Sequence, residues 1–353
     1  MANVCIRREW VVIATLMWCG LASAQPALPP LPKLAPVAAP AAEYTESKTI
    51  GRHDVKLTVW RADERLVRTA LSAAMEEISR VTRKLEASNR ASEVSAINRI
   101  ADTEEVLLSS ETFHLVEMAL KLCHSTDRAF DPAVRSFDYL WQFQRHPAVR
   151  PLDDELAKRA TFAKCSHVAL KPGRKIRLLQ PDMRVSLDDL VIGHALERAA
   201  ALLRDAGVSD FRLRIGTHAY VFGRAGTRHW YLTVPHPMDS ERIVTQLYLG
   251  SHAAATRSQL DSYFMRGGVR YHDVLDPRTG KPARGVLQAT VISPDPLLAD
   301  ALSRAVMVMG VSKGVQHLNK LPNAEGFLVD EKGVVHGSKG MASLARLPAR
   351  IAL

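Results

Sequence analysis

Residues 297–310, LLADALSRAVMVMG, are apolar or small at almost every position, yet they carry Asp300 and Arg304 one helical turn apart. An i,i+4 spacing puts both side chains on one helix face. The pair is either a salt bridge inside a buried helix or part of a charged site, and taken alone it favours the salt bridge. Other polar stretches pose the same choice. YHDVLDPRTGKP (271–282) ends a strand and enters a turn shaped by Pro277 and Gly280, and Asp276 suits capping that turn as well as chemistry. LDDLVIG (187–193) sets two carboxylates just before a helix N-terminus, where the helix dipole stabilises them without any ligand. TDRAFDPAVRSFDYLWQF (126–143) puts Asp131 before Pro132 and then an aromatic-rich segment, and IGTHAYVFG (215–223) has the composition of a tight turn between strands. No Cys/His spacing resembles a zinc site.

The elements that must position these residues follow from periodicity. DVKLTVW (54–60) alternates like a strand, and 64–85 carries a helical pattern through Leu66, Leu71, Met75, Ile78 and Val81. A second helix is predicted over 111–123, with Ser109 and Ser110 available as caps. A third covers 153–162, and a fourth runs over 193–206 and ends at Gly207. Short strands are predicted at 167–170, 175–179, 211–215, 219–222, 230–234, 243–249, 252–255, 271–275 and 289–293, ahead of the helix at 297–310. Strands are plentiful but do not alternate regularly with helices, so the reading is α+β rather than doubly wound.

The N-terminus reads as an export signal. Arg7 and Arg8 precede an apolar run opening at Val11, and Ala22-Ser23-Ala24 forms a small-residue cleavage site, so residues 1–24 are expected to be removed. The run is too short for a membrane span, and Trp18 before Cys19 argues against a lipoprotein anchor. A periplasmic protein with no transmembrane segment after cleavage is expected. Residues 25–43 are rich in proline and alanine and read as an extended tether, leaving 44–353 as the folded domain. The net charge of +10 loses one unit with the leader. Its lysines and arginines are scattered, without a basic run or interleaved aromatics, which argues against nucleic acid and leaves an anionic ligand compatible. Cys123 and Cys165 remain after cleavage, and their separation does not decide whether they pair.

Taken in order, these stretches resemble the FAD:protein FMN transferases, the ApbE-like family. SEVSAIN (92–98) is similar to the family's serine-glutamate-x-serine-x-x-asparagine segment. AFDPAV with its downstream Leu-Trp is similar to the aspartate-centred segment, DPRTGKP to the aspartate-proline-x-threonine-glycine turn, and LLADALSRAVMVMG to the metal-site helix. The resemblance spans about 50–341 and implies an ApbE-like mixed-sheet α+β fold with packed helices. It also implies Mg²⁺-dependent transfer of FMN from FAD to a threonine of an exported or membrane-anchored flavoprotein. By resemblance Asp300 is a metal ligand. Ser88, Ala129, Phe130 and Asp131 line the flavin site, and Ser186, Ile192 and Val274 stand where the family touches FAD.

Several positions depart from the family pattern. Arg304 replaces a threonine ligand, SLDDLVIG replaces aspartate-leucine-glycine-glycine-x-x-lysine-glycine, and Asp273 stands where the family has a histidine proposed as base. The threonine-serine-glycine motif reads TRS (256–258), a double glycine reads Gly216-Thr217, and a methionine-glycine-threonine motif reads IGR (50–52). Two arrangements are therefore expected to compete. In one, Arg304 pairs with Asp300, and also with Asp189 or Asp273, so that a guanidinium replaces the ion's charge. In the other, Asp189 and Ser303 join Asp300 around a shifted Mg²⁺ and Asp273 serves as the substitute base. The first implies a non-catalytic flavin- or partner-binding scaffold, the second a working transferase.

Overall fold

The computed structural model describes residues 42–61, 63–143 and 148–353. The export signal expected at 1–24 and nearly all of the tether expected at 25–43 lie outside the described residues. The tether's last two positions, Ala42 and Glu43, already belong to a strand.

An eight-stranded antiparallel sheet carries the fold. Its strands are β1 (Ala42–Ile50), β2 (His53–Arg61), β3 (Phe211–Ile215), β4 (His218–Phe222), β5 (His252–Ser258), β6 (Val286–Ser293), β7 (Glu325–Asp330) and β8 (Val335–Gly337). Their order across the sheet is their order along the chain. The helices enter as excursions between neighbouring strands. Between β2 and β3 come α1 (Glu64–Leu85), α2 (Glu93–Ile100), α3 (Ser110–Ser125) and α4 (Asp188–Asp205). Between β6 and β7 come α5 (Pro296–Met309) and α6 (Val311–Leu318).

Strand alternation sorts side chains to two faces. Val55, Leu57 and Val59 of β2, with Phe211, Leu213 and Ile215 of β3, join α1, α4 and α5 in the main core. Ala219, Val221, Ala254 and Phe327 face the other way, under a hairpin formed by Arg228–His236 and Asp239–Leu249. The apolar register of α1 explains its length, and the Asp63 side chain caps it by accepting from the Leu66 N–H. Ser109 caps α3 in the same way, as its sequence position suggests.

The fourth helix differs from expectation. It starts at Asp188 rather than 193, so Asp188 and Asp189 stand in its first turn. Leu187, Leu190 and Val191 are all buried, and packing of that turn draws it into the helix. Cys123 and Cys165 form a disulfide with Cα atoms 6.6 Å apart, settling a question the sequence left open. Among the described residues, no helix is long and apolar enough to cross a membrane.

Candidate functional site

Asp300 points from α5 toward the sheet, not along its own helix to Arg304. Its carboxylate accepts from the Gly193 N–H (2.9 Å), from His218 Nε2 (3.0 Å) and from Arg257 Nη2 (3.1 Å), and its side chain is fully buried. The α4 backbone can come this close because residue 193 is glycine. A Cβ there would lie 2.5 Å from the Pro296 carbonyl. His218 and Arg257 reach the same carboxylate because β4 and β5 are neighbours and both residues fall on the helix-facing side. Burial alone would raise the Asp300 pKa, but His218, Arg257 and the Gly193 N–H outweigh it and hold the carboxyl below its ordinary value.

Arg304 turns elsewhere. Its Nε lies 3.2 Å from Asp189 Oδ2, and its Nη2 donates to the Asp273 carbonyl at 2.9 Å. Arg257 closes the chain, since the Nη2 that serves Asp300 is also 3.1 Å from Asp189 Oδ1. The expected Asp300–Arg304 pair is therefore replaced by a relay from His218 through Asp300, Arg257 and Asp189 to Arg304. The expected contact of Arg304 with Asp189 is present, and that with Asp273 runs through its backbone. Burial lowers the Arg257 pKa, but Asp189 and Asp300 more than reverse this, so its charge is fixed.

Two members of the relay, His218 and Arg257, line a cleft of about 320 Å³. Its lining includes Arg52, His53, Glu86, Asp188, Ile192, Gly216, Thr217, Thr256, Arg257 and Asp273. Gly216 and Thr217 form the two-residue turn joining β3 to β4, and Gly216 has the positive φ of +57° that such a turn requires. The Asp273 carboxyl is raised, because burial outweighs the pull of Arg304 and Arg257. Its neighbour His272 is fully buried with Nε2 on the Ala283 carbonyl, and burial pushes it down to about 4.

The remaining predicted residues are placed as follows. Ile192 lines the cleft. Ser88 lies in the exposed turn after α1, beside Ala87, whose N–H donates to Asp188. Ser186 accepts from the Asp188 N–H and helps start α4. Ala129, Phe130 and Val274 are buried in the main core. Asp131 accepts from Arg128 Nε and from the N–H groups of Ala133 and Cys165, so its carboxylate organises the 128–134 loop beside the disulfide. The Ser303 hydroxyl donates to the Asp300 carbonyl at 2.7 Å, turned back on its own helix. Asp276 caps its turn, accepting from the Arg278 backbone and side chain. That turn docks on the aromatic segment, with Trp141 Nε1 donating to the Gly280 carbonyl.

His218 and Arg257 were not among the predicted site residues. The signal for Arg257 was its place inside the departing TRS motif. His218 gave none until strand parity put it beside Asp300.

A divalent cation does not fit this donor set. Such an ion wants about six oxygen ligands. Here Asp300 Oδ1 is shared by an imidazole and a guanidinium, Asp189 by two guanidiniums, and the Ser303 hydroxyl is spent on its helix. Two carboxylates against two guanidiniums are already neutral, and an added ion would sit against fixed positive charge.

The residues thus build an α+β sheet with a charged cleft on its helix side. Comparison with known proteins places it further. The ApbE family model matches residues 53–328, and the chain belongs to that family. It is 28% identical over 269 residues to the FAD:protein FMN transferase of Vibrio cholerae, covering 74% of this chain and 79% of that protein. It is 26% identical to that of Escherichia coli K12, covering 76% and 78%. Among solved structures, the ApbE protein of Thermotoga maritima superposes with a TM-score of 0.79 at 28% identity, covering 86% of this chain and all of that one. The flavin transferase ApbE of Vibrio cholerae gives 0.74 at 24%, covering 86% and all of that chain.

Proposed function

We propose that this chain is an exported member of its family that binds FAD in the cleft without Mg²⁺ and does not pass FMN to a threonine of another protein. The family and its named relatives support FAD as the ligand. One observation carries the rest of the reading. Asp300, in the position of the family's metal ligand, is saturated by His218, Arg257 and the Gly193 N–H.

In this reading Arg257 donates hydrogen bonds to the pyrophosphate and Arg52, on the same cleft, adds positive charge. The Arg257 side chain is 20% exposed and lines the cleft, so part of the guanidinium can meet a phosphate there. The Gly216–Thr217 turn adds backbone and hydroxyl groups along the same wall. The protein then acts as a flavin-holding scaffold, whose partner is an exported or membrane-anchored flavoprotein. The leader pattern and the disulfide support a periplasmic location, since an oxidising compartment preserves such a bond.

The test is FAD titration of the mature protein with Mg²⁺ and with EDTA, followed by assay of AMP release. Equal affinity in both and no AMP support the reading; Mg²⁺-dependent release of AMP overturns it. The double variant Arg257→Ser, Arg304→Thr frees Asp300 and Asp189, and calorimetry should then detect Mg²⁺ binding that the parent lacks.

A further inference from the structure

The opposite face of the sheet carries a second cavity, of about 440 Å³, between β2–β5 and the 228–249 hairpin. Its size falls within the roughly 300–1,000 Å³ of small-molecule sites. Two features of the sequence make it. First, Ala219 and Ala254 are register partners on β4 and β5 and both line it, so small side chains leave a space that two large aliphatic groups would fill. Leu232, Val234 and Leu247 of the hairpin complete an apolar floor.

Second, three cations crowd one end. Lys56 and Arg214 are direct cross-strand partners, and Arg212 lies two residues from Arg214 on the same face. Like charges directly opposite one another destabilise a sheet. No acidic residue lines the cavity, and among the described residues none of the three cations has an ion-pair partner. Arg212 is held over the rings of Trp230 (5.4 Å) and Tyr231 (6.0 Å), which fixes its guanidinium at the mouth without neutralising it. Lys56 and Arg214 stay exposed and Arg212 is half-buried, so together they leave that end of the cavity positive and open to solvent. An anion with an apolar body matches both ends of this cavity.

We propose that this cavity binds a small amphiphilic anion, with its carboxylate at Lys56, Arg212 and Arg214 and its hydrocarbon body over Ala219 and Ala254. The site is separate from the FAD cleft, although Gly216, Thr217 and Thr256 line both, and it does not depend on the function proposed above.

Calorimetric titration of the mature protein with decanoate, decanamide and acetate tests it. Decanoate should bind, and more weakly as salt rises. Decanamide, which lacks the charge, and acetate, which lacks the body, should bind at least tenfold more weakly or not at all. The double variant Arg212→Gln, Arg214→Gln should weaken decanoate binding by roughly tenfold or more, since charged hydrogen bonds are lost. Ala254→Leu should abolish it by filling the floor. Both variants should keep the parent's circular dichroism spectrum and urea midpoint within experimental error, which reports that they fold. Absence of decanoate binding, equal binding of acetate or decanamide, or an unchanged double variant would overturn the proposal.

Discussion

Two charged networks are built into the same helix layer, and they end differently. Around Glu111, the carboxylate accepts from Arg80 (2.7 Å), Lys84 (2.8 Å) and His194 (3.0 Å), while Glu77 accepts from Arg80 (2.7 Å) and Arg198 (3.0 Å). These groups tie α1, α3 and α4 together, and none of them lines the cleft. Around Asp300 the chemistry is the same, with carboxylates, guanidiniums and one imidazole, but His218 and Arg257 line a cleft. A closed network staples helices. An open one can hold a ligand while keeping its own geometry.

The contrast makes predictions of graded size. The largest effect belongs to the closed network: Glu111→Ala strands Arg80, Lys84 and His194 and should cost about 3 kcal/mol of stability. Urea denaturation measures it, and FAD affinity of the folded fraction should stay within about twofold. A loss below about 1 kcal/mol would mean that the network is no more than surface pairing.

The two networks also differ under titration. Burial raises the Glu111 carboxyl, but Arg80, His194 and Lys84 outweigh it and hold it well below the ordinary range, as His218 and Arg257 do for Asp300. The stability these carboxylates bring is complete above about pH 4 and is lost as the pH falls through their lowered values. Asp273 in the cleft has the opposite sign, because burial raises it. Its contribution is present below about pH 4 and is lost as the pH rises through its raised value. Its ionisation adds negative charge beside a phosphorylated ligand, so FAD affinity should fall about fivefold across that rise. Fluorescence titration should show the fall in the parent and a flat profile in Asp273→Asn. The smallest effect is at the exposed turn: Asp276→Asn removes the ion pair with Arg278 and should cost less than about 1 kcal/mol in the same denaturation assay.

Much of the scaffold was legible in the residues. The α1 helix matches its periodic pattern end to end, and β3 matches 211–215, because local apolar spacing decides both. The α2 helix, α6 and β7 were not predicted. The α6 helix has Gly310 at its start and Gly314 within it, and β7 carries Gly326 in close contact with the Thr290 carbonyl, so packing rather than propensity makes them. At the site, Asp300 could be singled out as a lone carboxylate in an apolar helix, and Arg304 as its neighbour at i+4. Helical spacing could not show that Asp300 faces β4 and β5, where long-range pairing supplies His218 and Arg257. A one-dimensional spacing rule sees partners on the same helix and misses stronger ones across the sheet.

The sequential strand order bears on how the chain assembles. Each joint in the sheet links strands adjacent in the chain order, so hairpins such as β3–β4 can zip with little loop entropy to overcome. The joint between β2 and β3 is different, since it closes only after a long excursion carrying most of the described helices has been drawn in. Closure entropy grows only logarithmically with loop length, so that excursion can lengthen or change its contents at small thermodynamic cost. The cleft takes Asp188 and Ile192 from the excursion and Gly216 and Arg257 from the sheet. It is thus a seam between a conservative frame and a replaceable insert, where one side can be rewritten while the other keeps its fold.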